Sequence, residues 1–192
     1  MNEKGKIAFL DIESTSLTAD SGFIVGVGIM WDDGKWSHEF LKGSVIEGEA
    51  ELIRKSIDEL SNATIIVTWN GIAFDIPMLI ARAIIHDIDP TPIILKEHID
   101  LYRYAKKLLK LSEYSLDAVA KYMGIPKKVE LKGRDMPPYY MKAIAGDQEA
   151  MKLIIEHCYD DLQALKKIYD KMRKIVDVVK SIELKNVMEE CI

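Results

Sequence analysis

AFLDIESTSL, residues 8–17, runs an apolar, strand-like segment into two acids one residue apart and then into a polar, turn-like STS. In a strand, residues two apart point to the same face and lie about 6.6 Å apart along the chain. Asp11 and Glu13 therefore share a face, and Ile12 turns into the core. Like charges on one face of a strand expected to be central repel each other and lose hydration. Either both acids have already emerged into solvent past the strand end, or something positive stands between them.

Outward from this stretch, Lys6–Glu13 reads as a first strand and Gly22–Trp31 as a second. The turn Asp32–Gly34 leads into Lys35–Leu41, which predicts an antiparallel hairpin. Leu52, Ile53, Ile57 and Leu60 recur at helical spacing within Glu49–Leu60. Thr64–Trp69 is a short apolar strand of the kind buried on both faces. Ile76–Ile85 follows as a helix with Pro77 in its first turn, where proline is tolerated. Pro90 and Pro92 mark a loop, and a short strand is expected to end near His98 and Asp100. Ser115 is a good N-cap and Gly124 a good C-terminal stop for a helix between them. Pro126–Pro138 is polar and loop-like, and Asp147 to about Lys180 is helical, with a break expected near His157. Strands come early and helices interleave and then take over, an α/β pattern.

The 192 residues fit one domain, 1–192, with length enough for a proper core. An apolar fraction of 48% with 30% charged residues is ordinary for a soluble globular chain. No apolar run approaches the ~20 residues of a membrane span, so no membrane partner and a cytoplasmic location are expected. Cys158 and Cys191 are too few for a disulfide framework and lack metal-type spacing; Cys158 reads as a small helix residue. The net charge of −5 opposes broad, nonspecific duplex binding. It leaves room for a phosphate substrate held through metal ions that invert the local field.

Two further segments carry acids. WNGIAFDIPML, residues 69–79, again runs a strand into a polar loop, an aromatic and then Asp75 at a helix start, where an isolated aspartate would read as an N-cap. HCYDDLQAL, residues 157–165, places His157 and Asp161 four apart and so on one helical face, which alone would read as a surface pair.

Together these segments resemble the DEDD 3′–5′ exonuclease superfamily, whose fold is ribonuclease-H-like. DIEST matches its acid-x-acid motif, NGIAFD its Asn-x-x-x-aromatic-Asp motif, and HCYDD its late-helix aspartate with an upstream Tyr or His. VTWNGIAFDIPMLIARA, HIDLYRYAKKLL and YSLDAVAKYMGI are similar to the YprB-type ribonuclease-H-like family. YSLDAVA also resembles the proofreading domain of family B DNA polymerases. The fold this implies is a ribonuclease-H-like mixed sheet flanked by helices.

By position, the resemblance makes Asp11, Glu13, Asp75 and Asp161 the ligands of two Mg2+ or Mn2+ ions, hard cations that prefer oxygen. Such a pair, about 4 Å apart, serves phosphodiester hydrolysis. His157 departs from the pattern: a histidine stands where one subgroup has tyrosine, four before the aspartate, whereas the histidine subgroup places it five before. It is favoured as the group that positions or deprotonates the attacking water, an idle surface histidine being the alternative. Asp160 is the alternative to Asp161, and Tyr159 is expected to point elsewhere. Asn70 would hold a loop or a phosphate. Phe74 and Leu17 would pack on the terminal nucleotide, with core packing an equal reading for Phe74. Thr15 would orient the 3′ end through its backbone, or shape the turn. His98 and Asp100 read as a buried hydrogen-bonded pair, and Lys127, Lys128, Lys132 and Arg134 as a solvated loop rather than a guide for the strand.

The implied activity is 3′–5′ exonucleolytic hydrolysis at a single-stranded DNA or RNA 3′ end. The alternatives are a structure-specific endonuclease of the same fold and a noncatalytic nucleic-acid-binding or adaptor domain. A protein partner that delivers the substrate is a third expectation, given the acidic charge.

Overall fold

The central strand β1 (Ile7–Ser14) is flanked on one side by the antiparallel pair β2 (Ile24–Trp31) and β3 (Trp36–Phe40) and on the other by the parallel strands β4 (Ile65–Thr68) and β5 (Glu97–Asp100). The sheet order in this computed structural model is β3-β2-β1-β4-β5, mixed as expected. The structure describes residues 6–42, 45–128 and 135–190, with side chains up to 182.

Seven helices among the described residues cover the two faces: α1 (Val45–Leu60), α2 (Asp75–Ile85), α3 (Thr91–Ile94), α4 (Leu101–Leu108), α5 (Leu116–Tyr122), α6 (Pro137–Ile144) and α7 (Gln148–Glu190). Alternation along β1 divides the core. Ala8, Leu10 and Ile12 join the cluster built with α1, α2 and α6, while Ile7 and Phe9 join that built with α4, α5 and α7. Asp11 and Glu13 continue the second row, so both acids point to the side on which α7 lies.

Three elements differ from the sequence reading, one being α3, a single helical turn where Pro90 and Pro92 predicted a loop. Helix α7 is unbroken through His157, because His157, Cys158, Leu162 and Leu165 all lie on its buried side and keep it against the sheet. Helix α6 occupies a segment to which the sequence reading assigned no element. It opens on Pro137 and Pro138, where the missing amide hydrogens cost the helix nothing. Ser115 and Gly124 do cap α5: the Ser115 hydroxyl accepts from the Ala118 amide at 3.2 Å, and Gly124 takes φ +71°. Among the described residues no helix is long and apolar enough to cross a membrane.

Candidate functional site

The site forms where β1 outruns its parallel neighbour. Strand β4 pairs with β1 only at Ile7, Ala8 and Phe9, so the Ile12 amide has no ladder partner on that side. Asp75 takes it: the Ile12 N–H donates to Asp75 Oδ1 at 3.0 Å. Asp75 is thus not the N-cap of α2, a position held by Phe74 without a side-chain cap bond. One residue beyond Ile12 the register of β1 against β2 shifts between Glu13 and Ser14, an irregularity of the kind that re-aims side chains beside a site.

Space for the acids comes from glycine. Gly28 and Gly26 lie opposite Asp11 and Glu13 in the β1–β2 ladder. A Cβ on Gly28 would stand 2.3 Å from Cys158 Sγ and 2.8 Å from Leu162 Cδ1, so the bare backbone lets α7 settle onto the sheet at this point. That approach carries Cys158 to the acids: oxygens of Asp11 and Glu13 and the Cys158 sulfur lie within 4.8 Å of one another.

The electrostatics follow from crowding. Burial pushes the Asp11 carboxyl well above its usual value, and the charges of Glu13, Asp161 and Asp75 push the same way; a hydrogen bond with Cys158 works against them. Burial raises Glu13 to about 7 despite the hydroxyl that Tyr140 donates to Oε2, and Asp161 and Asp75 add to the rise. Burial likewise raises Asp75 to about 7 against its amide hydrogen bonds, with a contribution from the charge of Asp100. Asp161 is raised by burial, opposed by His157 and Lys127. Oε1 of Glu13 is buried without a hydrogen-bond partner. Four carboxylates from β1, α2 and α7 therefore feel one another, two of them titrating near neutrality.

His157 is buried, with Nε2 3.8 Å from Asp161 Oδ2 and Nδ1 lacking a partner. The exposed-histidine alternative is excluded by that burial. Asp160 is occupied elsewhere, accepting from the Lys128 amide at 2.6 Å. Tyr159 turns away and packs on Trp36, ring centroids 4.8 Å apart.

Beside Glu13 a cleft of about 480 Å³ is lined by Thr15, Leu17, Phe74, Pro137 and Tyr140. Leu17 is exposed, and Phe74 packs partly on the core. The side chain of Thr15 shapes the β1–β2 turn, accepting from the Phe23 amide at 3.1 Å, while its own amide donates to the Phe23 carbonyl at 3.0 Å. Asn70 has a left-handed backbone, φ +63°, pinned where its amide donates to Asp100 Oδ1 at 2.9 Å. It shapes the loop before Asp75.

Two corrections concern neighbouring residues. His98 and Asp100 are not bonded to each other: His98 meets the Ile93 carbonyl, and Asp100 accepts from the Asn70, Ile72 and Tyr102 amides. Lys127 is not solvated; its side chain is 11% exposed, and its ammonium pairs with Asp161 at 2.5 Å and with Asp117. Lys132 and Arg134 lie outside the described residues. Cys158 and Tyr140, unassigned in the sequence reading, both touch the acid cluster. Tyr140 stood three residues past a Pro-Pro helix start, the one local sign of its helix.

A family model described as the RNase_H superfamily matches residues 8–173. A DNA polymerase of Methanocaldococcus jannaschii is 38% identical over 43% of this chain and 6% of its own length. DNA polymerase 1 of Sulfurisphaera ohwakuensis is 35% identical over 44% of this chain and 12% of its own. Among solved structures, the family B DNA polymerase from the hyperthermophilic archaeon Pyrobaculum calidifontis matches with a TM-score of 0.73 and 19% identity, over 88% of this chain and 25% of that one. The chain thus spans a small fraction of each relative, and what it shares with the solved polymerase is the fold.

Proposed function

We propose, on the premise that the chain belongs to the RNase H superfamily, that it is a metal-dependent 3′–5′ exonuclease acting on single-stranded nucleic acid. The observation that supports the reading is that the charges of Asp75 and Asp161 reach Asp11 and Glu13, whose own oxygens lie close together, with one Glu13 oxygen buried and without a partner. Such a set is costly when empty of cations and suited to them when filled. Its donors are oxygens, which fits Mg2+ or Mn2+.

Asp11, Glu13, Asp75 and Asp161 would hold two ions, which when bound polarise the phosphodiester and make water acidic enough to attack near neutrality. The chain's own groups do the rest. His157 orients the attacking water and takes its proton at Nε2, the nitrogen that faces Asp161. Tyr140 fixes the rotamer of Glu13 through its hydrogen bond. Phe74 and Leu17, on the walls of the cleft next to Glu13, seat the terminal nucleotide by apolar and stacking contact, which tolerates any base. Thr15 lines the same cleft, and the turn it shapes would support the 3′ end. The 3′–5′ polarity rests on the likeness of DIEST, NGIAFD and HCYDD to the DEDD motifs. The net charge of −5 favours a protein partner that delivers the strand.

Single strands labelled at the 3′ end test this directly. With Mg2+ or Mn2+ the parent releases nucleoside 5′-monophosphates, and Asp11→Asn combined with Asp75→Asn does not. Equal rates from both proteins end the proposal. Opening of a circular single strand by the parent would assign it to endonucleases instead.

A further inference from the structure

Lys127 lies between α5 and α6, and its side chain is largely withdrawn from water. It sits 2.5 Å from Asp161 Oδ1 and also touches Asp117 Oδ1. The two carboxylates differ in kind. Asp161 belongs to the acid cluster; Asp117 stands in the first turn of α5, its side chain is 43% exposed, and its charge acts on the cluster through Asp161. We propose that Lys127 is a positioning residue for metal loading: it holds Asp161 in the metal-free protein and passes to Asp117 when a divalent cation takes Asp161. The inference rests on the reading of Asp161 as a metal ligand.

Charge and space both support the transfer. An ammonium in contact with a carboxylate oxygen and a divalent cation on the same carboxylate repel strongly where little water screens them. The lysine stem is flexible and its charge compact, so it can leave one partner while keeping the other. A cavity of about 620 Å³ lined by Asp117, Ala120, Gly124 and Lys127 opens on the α5 side, which gives the ammonium room to move there. A lysine that served only to anchor its segment would have no need of a second partner inside the acid cluster.

Calorimetric titration with Mn2+ decides the matter. Lys127→Gln removes the competitor, and Mn2+ binds about tenfold tighter. Asp117→Asn leaves Lys127 with Asp161 alone, and Mn2+ binds several-fold weaker. Lys128→Gln, at an exposed neighbour whose backbone amide donates to Asp160, stays within about twofold of the parent. These differences persist in about 0.5 M KCl, where distant charges are screened and contact pairs are not. Folded Lys127→Gln that binds Mn2+ no better than the parent overturns the inference, as does a Lys128→Gln effect of equal size. If Lys127→Gln fails to fold, Asp117→Asn with unchanged affinity overturns it. A parent that binds no Mn2+ overturns the metal reading itself, and this inference with it.

Discussion

Tyr140 donates its hydroxyl to Oε2 of Glu13 across 127 positions of sequence, joining helix α6 to the central strand. The bond is the main influence lowering a carboxyl that burial nonetheless holds at about 7. It also leaves Oε1, the other oxygen, as the one without a partner.

Tyr140→Phe should therefore move Glu13 further upward, so that at about pH 7 more of it is protonated and less is open to a cation. Mn2+ affinity falls several-fold near pH 7 and returns toward the parent's at about pH 9. Titration calorimetry at the two pH values reads this. A loss of equal size at both would show that Tyr140 acts on the shape of the cleft instead.

Metal-free stability should fall with rising pH. Glu13 moves from 4.5 and Asp75 from 3.8 to about 7 on folding. Raised carboxyls keep protons that the unfolded chain has released, so their contribution is full below about pH 4 and is lost as pH rises through about 7. Thermal unfolding in chelator should show that slope, and Mn2+ should remove it. Asp75→Asn, which can still accept from the Ile12 amide, should flatten the slope and unfold at a higher temperature than the parent above about pH 7.

Gly28→Ala puts a methyl group where Cys158 Sγ and Leu162 Cδ1 already stand. Helix α7 must retreat or distort, at a cost of about 1–3 kcal/mol by denaturant unfolding. Cys158→Ala in the same chain frees the tighter of the two contacts and should recover part of the loss. No recovery would place the strain at Leu162.

Asp100→Ala leaves the Asn70, Ile72 and Tyr102 amides without their acceptor. The expected loss is at least ~2 kcal/mol of stability, together with slower hydrolysis, since the loop that ends in Asp75 loses its anchor. Asp100→Asn keeps one acceptor oxygen and should cost less. Equal stability of Asp100→Ala and the parent would sink this assignment.

What could be read from the sequence is what short-range chemistry controls. Alternation and apolar runs mark β1 through β4, because a strand's faces repeat every two residues. Ser115 and Gly124 mark α5, because caps are local. Asp11 and Glu13 could be placed on one face by counting. Lys127 could not be read correctly: PKK looks solvated, and only the fold brings Asp117 and Asp161 to it from 10 residues before and 34 after. Cys158 fails for the same reason, since its neighbours Asp11 and Gly28 are on strands. The break expected near His157 does not occur, since the inward members of HCYDD turn toward an acid cluster that no window of helical length contains.

The two ends of that cluster, Asp11 on the first strand and Asp161 on the last helix, have a bearing on synthesis. A ribosome that has made Asp11 must add 150 more residues to reach Asp161. Until then the nascent polypeptide bears an incomplete set of acids, and on the function proposed above it could not yet hydrolyse a nucleic acid.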